Sequence, residues 1–205
     1  MVDQIEDKVS KAHFWDQKYR SGETSWDLNG PTPAISNWID QFTSEKKICL
    51  LGAGNGYDAV EISKHGHQVY AVDFSEIAIS NMKNYARIHK RSVHPILSDL
   101  FDLPEEYNEC FDIVIEYTCF CAINPGRRKE YRDVVCRILK PGGILMALFF
   151  PINKPLSDDG TPFGVDLAQT ISLFEEKFLL KSKQYSPLTI QPRVGNEVLT
   201  ELQKV

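Results

Sequence analysis

The sequence predicts an α/β protein built on a doubly wound, mainly parallel sheet with helices on both faces. Short apolar segments alternate with segments of helical periodicity, the first apolar segment ends in a glycine-rich turn, and residues 111–117 are almost wholly apolar. Strands that alternate with helices pair in parallel through right-handed crossovers, and such sheets bind ligands at the carboxyl ends of their strands. Functional residues are therefore expected where strands end.

The first half of the chain supplies three strands. The apolar run Ile-Cys-Leu-Leu at 48–51 predicts the first strand, and helical spacing resumes directly after the glycines that follow it. Residues 68–73 form a second strand that ends in an acid. Ser75 can cap a helix over 76–89, because a serine side chain accepts a hydrogen bond from an N–H of the first helical turn. A short strand is then expected at 94–97.

The second half supplies four more strands, which makes seven in all. Residues 111–117 predict the central strand, and a helix over 127–139 ends in Lys-Pro-Gly-Gly, a stop signal that turns into a fifth strand at 144–150. The loop at 151–166 is rich in proline, glycine and aspartate. Its length is near the upper limit for an unstructured connection, which makes it a candidate lid. The remaining predicted elements are a helix near 167–176 and strands near 178–185 and 198–202.

Length and composition indicate one domain over residues 1–205 and exclude several classes of protein. No apolar run approaches the ~18 residues needed to span a bilayer, and the acidic start does not resemble a secretory signal, so a cytoplasmic protein is expected. A net charge of −5 without a clustered basic face argues against nucleic acid as the substrate. Five cysteines without a Cys-x-x-Cys pair or a matching histidine set favour a reduced compartment and no metal site. A small-molecule substrate is favoured.

The glycine-rich turn after the first strand is the first candidate site. Gly52, Gly54 and Gly56 allow positive φ and close approach of a ligand, and the next helix directs unpaired N–H groups at the turn. Asp73 ends the second strand seventeen positions after Gly56, close to the spacing at which a carboxylate meets a ribose hydroxyl. Capping of the next helix is the alternative role for Asp73. Together, the turn and the acid indicate a nucleotide-like cofactor.

The spacing of the glycines distinguishes between cofactors. The dinucleotide fingerprint is Gly-x-Gly-x-x-Gly, and Tyr57 stands where its last glycine belongs, which weakens the case for an NAD-linked oxidoreductase. A Gly-x-Gly-x-Gly loop followed by a strand-end acid looks like the site of class I S-adenosylmethionine (SAM) methyltransferases. That resemblance implies a seven-stranded Rossmann-like sheet. It also implies that Gly52 and Gly54 lie against the methionine part of SAM and that Asp73 holds the ribose.

Three further segments resemble the thiopurine methyltransferase superfamily. Residues 14–33 contain Phe-Trp-Asp and Gly-Glu-Thr-Ser-Trp-Asp, which look like the family's N-terminal block. Residues 120–131, with Ala-Ile-Asn-Pro-Gly, and residues 139–151, from Leu-Lys-Pro-Gly-Gly to Phe-Pro, look like later segments of the family. The resemblance runs in order from Phe14 to about residue 166. It implies a SAM-dependent methyltransferase in which residues 1–33 cover the cofactor.

The same resemblance implies roles for individual residues. Trp15, Tyr19 and Trp26 would close over SAM, which is physically sensible because aromatic faces attract a sulfonium cation and exclude water. Simple helix packing is the alternative for these three. Asp99 and Leu100, which follow the third strand, would lie around the adenine, and a local turn is the alternative role for Asp99.

The residues at the end of the fourth strand indicate which class of methyl acceptor the protein uses. Glu116 and Tyr117 are expected beside the reacting methyl group. Thiopurine methyltransferases proper tend to have arginine at the position of Tyr117, whereas Glu-Tyr-Thr-Cys-Phe-Cys-Ala at 116–122 is closer to the thiol and halide methyltransferases. This implies a small, soft acceptor such as a thiol, bisulfide or halide, oriented by Tyr117, with catalysis mainly by alignment and desolvation. Cys119 and Cys121 are placed where they can line the pocket.

Alternative functions stay open on the sequence. They are a thiopurine-type S-methyltransferase, a non-catalytic SAM-binding protein and an NAD-linked oxidoreductase. Methylation of nucleic acid at an amino group is disfavoured, because the Asn/Asp-Pro-Pro-Tyr tetrad is absent after the fourth strand. The family likeness makes a monomer the expected oligomeric state.

Overall fold

A seven-stranded sheet organises the computed structural model, which describes residues 8–156 and 160–205. The strand order is β3-β2-β1-β4-β5-β7-β6. Pairing is parallel from β3 to β5, whereas β7 runs antiparallel to both β5 and β6. The predicted mainly parallel α/β class is confirmed. The strands are β1 (Lys47–Leu51), β2 (Gln68–Asp73), β3 (His94–Leu97), β4 (Phe111–Tyr117), β5 (Leu139–Phe149), β6 (Phe178–Gln184) and β7 (Val198–Lys204).

Helices cover both faces of the sheet. Cys49 and Leu51 belong to one buried cluster with side chains of the last two helices, whereas Ile48 and Leu50 belong to a second cluster with side chains of earlier helices. Successive side chains of a strand point to opposite faces, so β1 is buried on both. The helices are α1 (Ala12–Ser21), α2 (Pro33–Ile39), α3 (Tyr57–Ser63), α4 (Glu76–Ile88), α5 (Arg128–Ile138) and α6 (Leu167–Glu175). Among the described residues, no helix is long and apolar enough to cross a membrane.

The start of β5 differs from the prediction. Lys-Pro-Gly-Gly was expected to turn into a strand at 144–150, but β5 already begins at Leu139, which pairs with Phe111 of β4. The register then jumps so that Ile144 pairs with Ile113. The glycine-containing segment between these two pairs bulges out of the ladder. A bulge accommodates extra residues in one strand without ending the pairing, so the turn signal was real but lies inside the strand.

The strand order places a crevice above the middle of the sheet. From β1 the chain first builds β2 and β3 on one side and then crosses to build β4 and β5 on the other side. The loops after β1 and β4 therefore diverge, and a ligand can lie between them at the carboxyl ends of the strands. Gly56 packs the loop after β1 close to α4, since a Cβ at that position would lie 2.3 Å from Cγ of Met82.

Candidate active site

A cavity of about 610 Å³ opens at the carboxyl ends of the parallel strands. Its volume is in the range of small-molecule and cofactor sites. The cavity gathers segments that are far apart in the sequence, from the N-terminal helix to the loop before β7. Eight of the ten residues predicted for the site line it: Trp15, Tyr19, Trp26, Gly52, Gly54, Asp73, Asp99 and Leu100.

Asp73 lies at the end of β2 and braces the glycine loop. Its carboxylate accepts a hydrogen bond from the Gly54 N–H at 2.8 Å and from the Ser75 N–H at 2.9 Å. Burial raises the pKa of Asp73 to about 6, opposed by the backbone hydrogen bonds from Ser75 and Gly54. Ser75, and not Asp73, caps α4, because its Oγ accepts the Ala78 N–H at 3.1 Å. A carboxylate offers about four acceptor positions, so Asp73 retains capacity for the hydroxyls of a ribose.

Three aromatic rings, from the N-terminal helix and the loop after it, cover the cavity. The ring of Trp26 packs edge to face against Trp15 and Tyr19, at centroid distances of 5.4 and 5.6 Å. Asp16 ties this cover to the site, since its Oδ1 accepts the Ser75 hydroxyl at 2.5 Å. Hydrogen bonds through Ser75 therefore connect Asp16 of the aromatic cover to Asp73. The arrangement fits a cofactor that carries both a ribose and a cationic group.

Asp99 makes a local turn and also lines the cavity. Its Oδ1 accepts the Phe101 N–H at 3.0 Å, as in a local turn, while the residue also lines the cavity. The Arg127 guanidinium stacks 3.5 Å from the ring centroid of Phe101, and its Nη1 lies 3.9 Å from Oδ2 of Asp99. Burial raises the pKa of Asp99 above its ordinary value, and the Phe101 hydrogen bond opposes this. This end of the cavity offers an acceptor oxygen beside apolar side chains, as an aminopurine ring requires.

Glu116 and Tyr117 do not line the large cavity. Glu116 is 1% exposed, and its Oε1 accepts the N–H groups of Cys119 at 3.1 Å and Phe120 at 2.8 Å, so it shapes the turn after β4. The Tyr117 hydroxyl donates to Oε2 of Glu197 at 3.0 Å. Burial raises the pKa of Tyr117 well above its ordinary value, and the positive charge of Arg193 opposes this. Orientation of the acceptor by Tyr117 stays a prediction, and its hydroxyl already has a partner in Glu197.

The buried carboxyl of Glu116 leads to a prediction about pH and stability. Burial raises its pKa from 4.5 to about 7, against the hydrogen bonds from Phe120 and Cys119. The folded state therefore binds this proton more tightly than the unfolded state, and the stabilisation is lost as the pH rises through about 7. We expect the melting temperature of Glu116→Gln, measured relative to that of the wild type, to rise between pH 5 and pH 8. A flat or falling difference would contradict the buried carboxyl.

The candidate lid forms a wall of the cavity in the part that the structure describes. The Phe163 N–H donates to the carbonyl of Cys121 at 2.7 Å, and Thr161 and Pro162 line the cavity. Residues 157–159 of the predicted 151–166 loop lie outside the described residues, as do residues 1–7 of the predicted N-terminal cover. Closure of the loop over the site stays a prediction.

The residues that complete the cavity near β5 and β7 were not predicted from the sequence. Cys119 and Cys121 line it, as expected, but Phe150, Arg193 and Asn196 line it as well. The segment before β7 has neither strand nor helix periodicity and carries no motif. Only the pairing of β7 with β5 brings this segment beside the carboxyl ends of the parallel strands.

Comparison with known proteins identifies the family. Residues 10–204 match the family model described as thiopurine S-methyltransferase. Probable thiol methyltransferase 2 of Arabidopsis thaliana is 31% identical over 193 residues, which cover 93% of this chain and 84% of that protein. Thiocyanate methyltransferase 1 of Brassica oleracea is 28% identical over 198 residues, with the same two coverages of 93% and 84%.

A solved structure shares the fold. The 1,6-didemethyltoxoflavin-N1-methyltransferase of Burkholderia thailandensis, solved with its substrate and S-adenosylhomocysteine, superposes with a TM-score of 0.79 at 18% identity. The match covers 96% of this chain and 88% of that chain. The SAM-type fold, the family match over nearly the whole chain and the cavity lined by the glycine loop and Asp73 agree with one another. The chain belongs to the thiopurine S-methyltransferase family and is a SAM-dependent methyltransferase.

Proposed function

We propose that the protein transfers the methyl group of SAM to the sulfur of a small acceptor. One observation carries this choice: the described residues that line the cavity at the ends of β4 and β5 offer no general base to an acceptor. The lining there is largely apolar and includes Ala122, Ile123 and Phe150. Burial raises the pKa of both Cys119 and Cys121 above the ordinary thiol value, so neither supplies a thiolate. The acceptor must therefore bring its own nucleophile, as a thiol that ionises near neutral pH does.

The residues of this chain bind and align the reactants in this proposal. Bound SAM supplies an electrophilic methyl group on a sulfonium. Asp73 and Gly54 hold the ribose and the methionine portion, and Asp99 accepts from the amine of the adenine. Trp15 and Trp26 exclude water from the reacting centre and present aromatic faces to the positive charge. Alignment of two reactants in a dry cavity accounts for the rate without a proton transfer.

The relatives support a sulfur acceptor. Two proteins that match 93% of this chain carry the names thiol methyltransferase and thiocyanate methyltransferase. Among the described residues, Tyr117 takes the position at which an arginine is expected in thiopurine methyltransferases proper, and its hydroxyl is occupied by Glu197. A small thiol, bisulfide or thiocyanate therefore fits the proposal better than a thiopurine, and halides belong to the same class of soft nucleophile.

The test measures cofactor binding and methyl transfer separately. Calorimetry with SAM and with S-adenosylhomocysteine is expected to show binding in the micromolar range. Transfer of radiolabelled methyl to bisulfide, thiocyanate, thiophenol, iodide and a thiopurine then ranks the acceptors, and we expect the small sulfur anions to lead. Binding without transfer to any of these would reject the proposed acceptor and favour a protein that binds SAM without this activity. A thiopurine ahead of the others would reject the preference for small acceptors.

A further inference from the structure

Arg193 is a buried cation in the wall of the cavity. It is 5% exposed and lies on the loop before β7, beside the end of β5. Its guanidinium lies close to two aromatic rings, 4.9 Å from the ring centroid of Tyr117 and 4.8 Å from that of Phe150. Contacts with two aromatic rings attract the cation and restrict the orientation of the guanidinium.

One edge of that guanidinium is used and another is not. Nη2 donates to the carbonyl oxygen of Trp26 at 3.0 Å. Nη1 is buried, yet it has no hydrogen-bond partner in the described part of the chain. A buried, unpaired donor on a charged group is costly, so such groups are nearly always satisfied by a protein group, water or ligand. An orphaned Nη1 in a cavity wall therefore points to a ligand.

No carboxylate of residues 8–156 and 160–205 pairs with Arg193 within 4.0 Å. Glu197 lies near enough for Arg193 to lower its pKa, but burial has the larger effect and raises that pKa. Its Oε2 accepts the Tyr117 hydroxyl. The other arginine in the cavity wall, Arg127, is already held by two hydrogen bonds to Glu130. Arg193 is thus the arginine whose charge is left for a ligand.

We propose that Arg193 is the residue that selects an anionic methyl acceptor. This inference rests on the proposed function, because it names the charge of the acceptor at the same site. Arg193 receives a thiolate, bisulfide, thiocyanate or similar soft anion at Nη1, next to the ring of Phe150. The cofactor acids lie at the opposite end of the cavity, since Asp73 and Asp99 follow β2 and β3 whereas Phe150 follows β5.

The charge balance of the reaction determines which kinetic constant Arg193 affects. The acceptor sulfur forms a bond to the methyl carbon, the carbon–sulfonium bond breaks, and its electron pair stays on the sulfur of the cofactor. Both products are uncharged at sulfur, so the attraction to Arg193 is lost as the reaction proceeds. A contact that is stronger in the ground state than in the transition state lowers KM without raising kcat. Loss of the charge also helps the neutral product to leave.

Binding experiments test the inference without relying on turnover. Thiocyanate and methyl thiocyanate have a similar shape but differ in charge, and each is titrated by calorimetry into the wild-type complex with S-adenosylhomocysteine. We expect thiocyanate to bind at least about tenfold more tightly, as a charge-assisted hydrogen bond predicts. Equal affinities in the wild type would overturn the inference, whatever any variant does.

Variants then assign the preference to one side chain. Arg193→Gln is expected to raise KM for thiocyanate and bisulfide by roughly 10- to 100-fold, with kcat unchanged or higher, and to abolish the preference for thiocyanate over methyl thiocyanate. Arg193→Lys keeps the charge and is expected to keep part of that preference. Arg87→Gln is the matched control, because Arg87 lies on α4 outside the cavity and bonds Asn84. An Arg193→Gln variant that remains folded and keeps the anion preference would overturn the inference.

The outcomes also separate this inference from the proposed function. If the wild-type complex prefers thiocyanate but no acceptor is methylated, the anion site stands and the methyl-transfer proposal fails. If acceptors are methylated but neutral and anionic ligands bind equally, methyl transfer stands and the role of Arg193 fails. Melting curves of each variant show whether Arg193→Gln is folded, and the Arg193→Lys measurements replace it if it is not.

Discussion

Replacing Asp73 by alanine is expected to weaken the binding of SAM by roughly 100-fold. The change removes a carboxylate that faces the cavity and has capacity for two ribose hydroxyls, and a hydrogen bond to a charged group contributes about 1.5–3 kcal/mol. It also leaves the N–H groups of Gly54 and Ser75 without their present acceptor. Calorimetric titration with SAM and with S-adenosylhomocysteine measures the loss directly.

The Asp73→Asn variant separates the two contributions. An asparagine keeps one oxygen as an acceptor but loses the charge and one acceptor group. We therefore expect the affinity of Asp73→Asn for SAM to lie between the affinities of the wild type and Asp73→Ala. Asp73 is a buried acid whose pKa is raised by burial, and its removal should therefore leave the protein folded. A folded Asp73→Ala variant that binds SAM within threefold of the wild type would show that the acid does not hold the ribose.

Replacing Gly52 by alanine is expected to abolish measurable SAM binding and to lower the melting temperature on the order of 10 °C. Gly52 has φ of 64°, and a Cβ there would lie 2.8 Å from Sγ and 2.9 Å from Cβ of Cys119. Cys119 cannot move easily, because the turn that carries it is held by Glu116. Positive φ costs about 1–2 kcal/mol and overpacking about 1–3 kcal/mol, and each kcal/mol corresponds to about 2–4 °C in a chain of this size.

Gly66→Ala is the matched control for this variant. Gly66 also has positive φ, 81°, but a Cβ there meets nothing within 4 Å. It therefore carries the backbone strain without the steric contact, and we expect a smaller loss of stability with normal SAM binding. Equal effects of the two substitutions on stability and SAM binding would mean that Cys119 moves away from the added Cβ at little energetic cost. The double variant Gly52→Ala/Cys119→Gly is expected to recover part of the stability of Gly52→Ala.

Much of the part of the site proposed for the cofactor was predictable, because the sequence patterns that indicate it lie within short segments of the chain. The glycines and Asp73 belong to one strand-turn-helix-strand unit, so their spacing along the chain determines their spacing in space. The same holds for Asp99, which directly follows β3. The aromatic rings at 15, 19 and 26 were predicted only through the family resemblance, and the structure places them in the cavity wall.

The acceptor half was predicted less well, because its residues meet through long-range pairing. Tyr117 follows a strand end and was expected beside the methyl group, but its hydroxyl donates to Glu197, eighty positions away. Arg193 had no local signal at all. Its position depends on β7 inserting between β5 and β6, an arrangement that no short stretch of sequence specifies.

Hydrophobic period and turn chemistry act over a few neighbouring residues, and they were enough to predict the fold class, the glycine loop and the acid at the end of the second strand. The family resemblance added SAM as the cofactor and the aromatic residues of the cavity wall. The tertiary structure alone decided which charges are buried and which are already paired. Among the described residues, Oε1 of Glu116 accepts two backbone N–H groups and the Tyr117 hydroxyl donates to Glu197. Nη1 of Arg193, a residue of the cavity wall, is buried without a partner. Burial and pairing are properties of contacts between distant segments, and they appear only when the chain has folded.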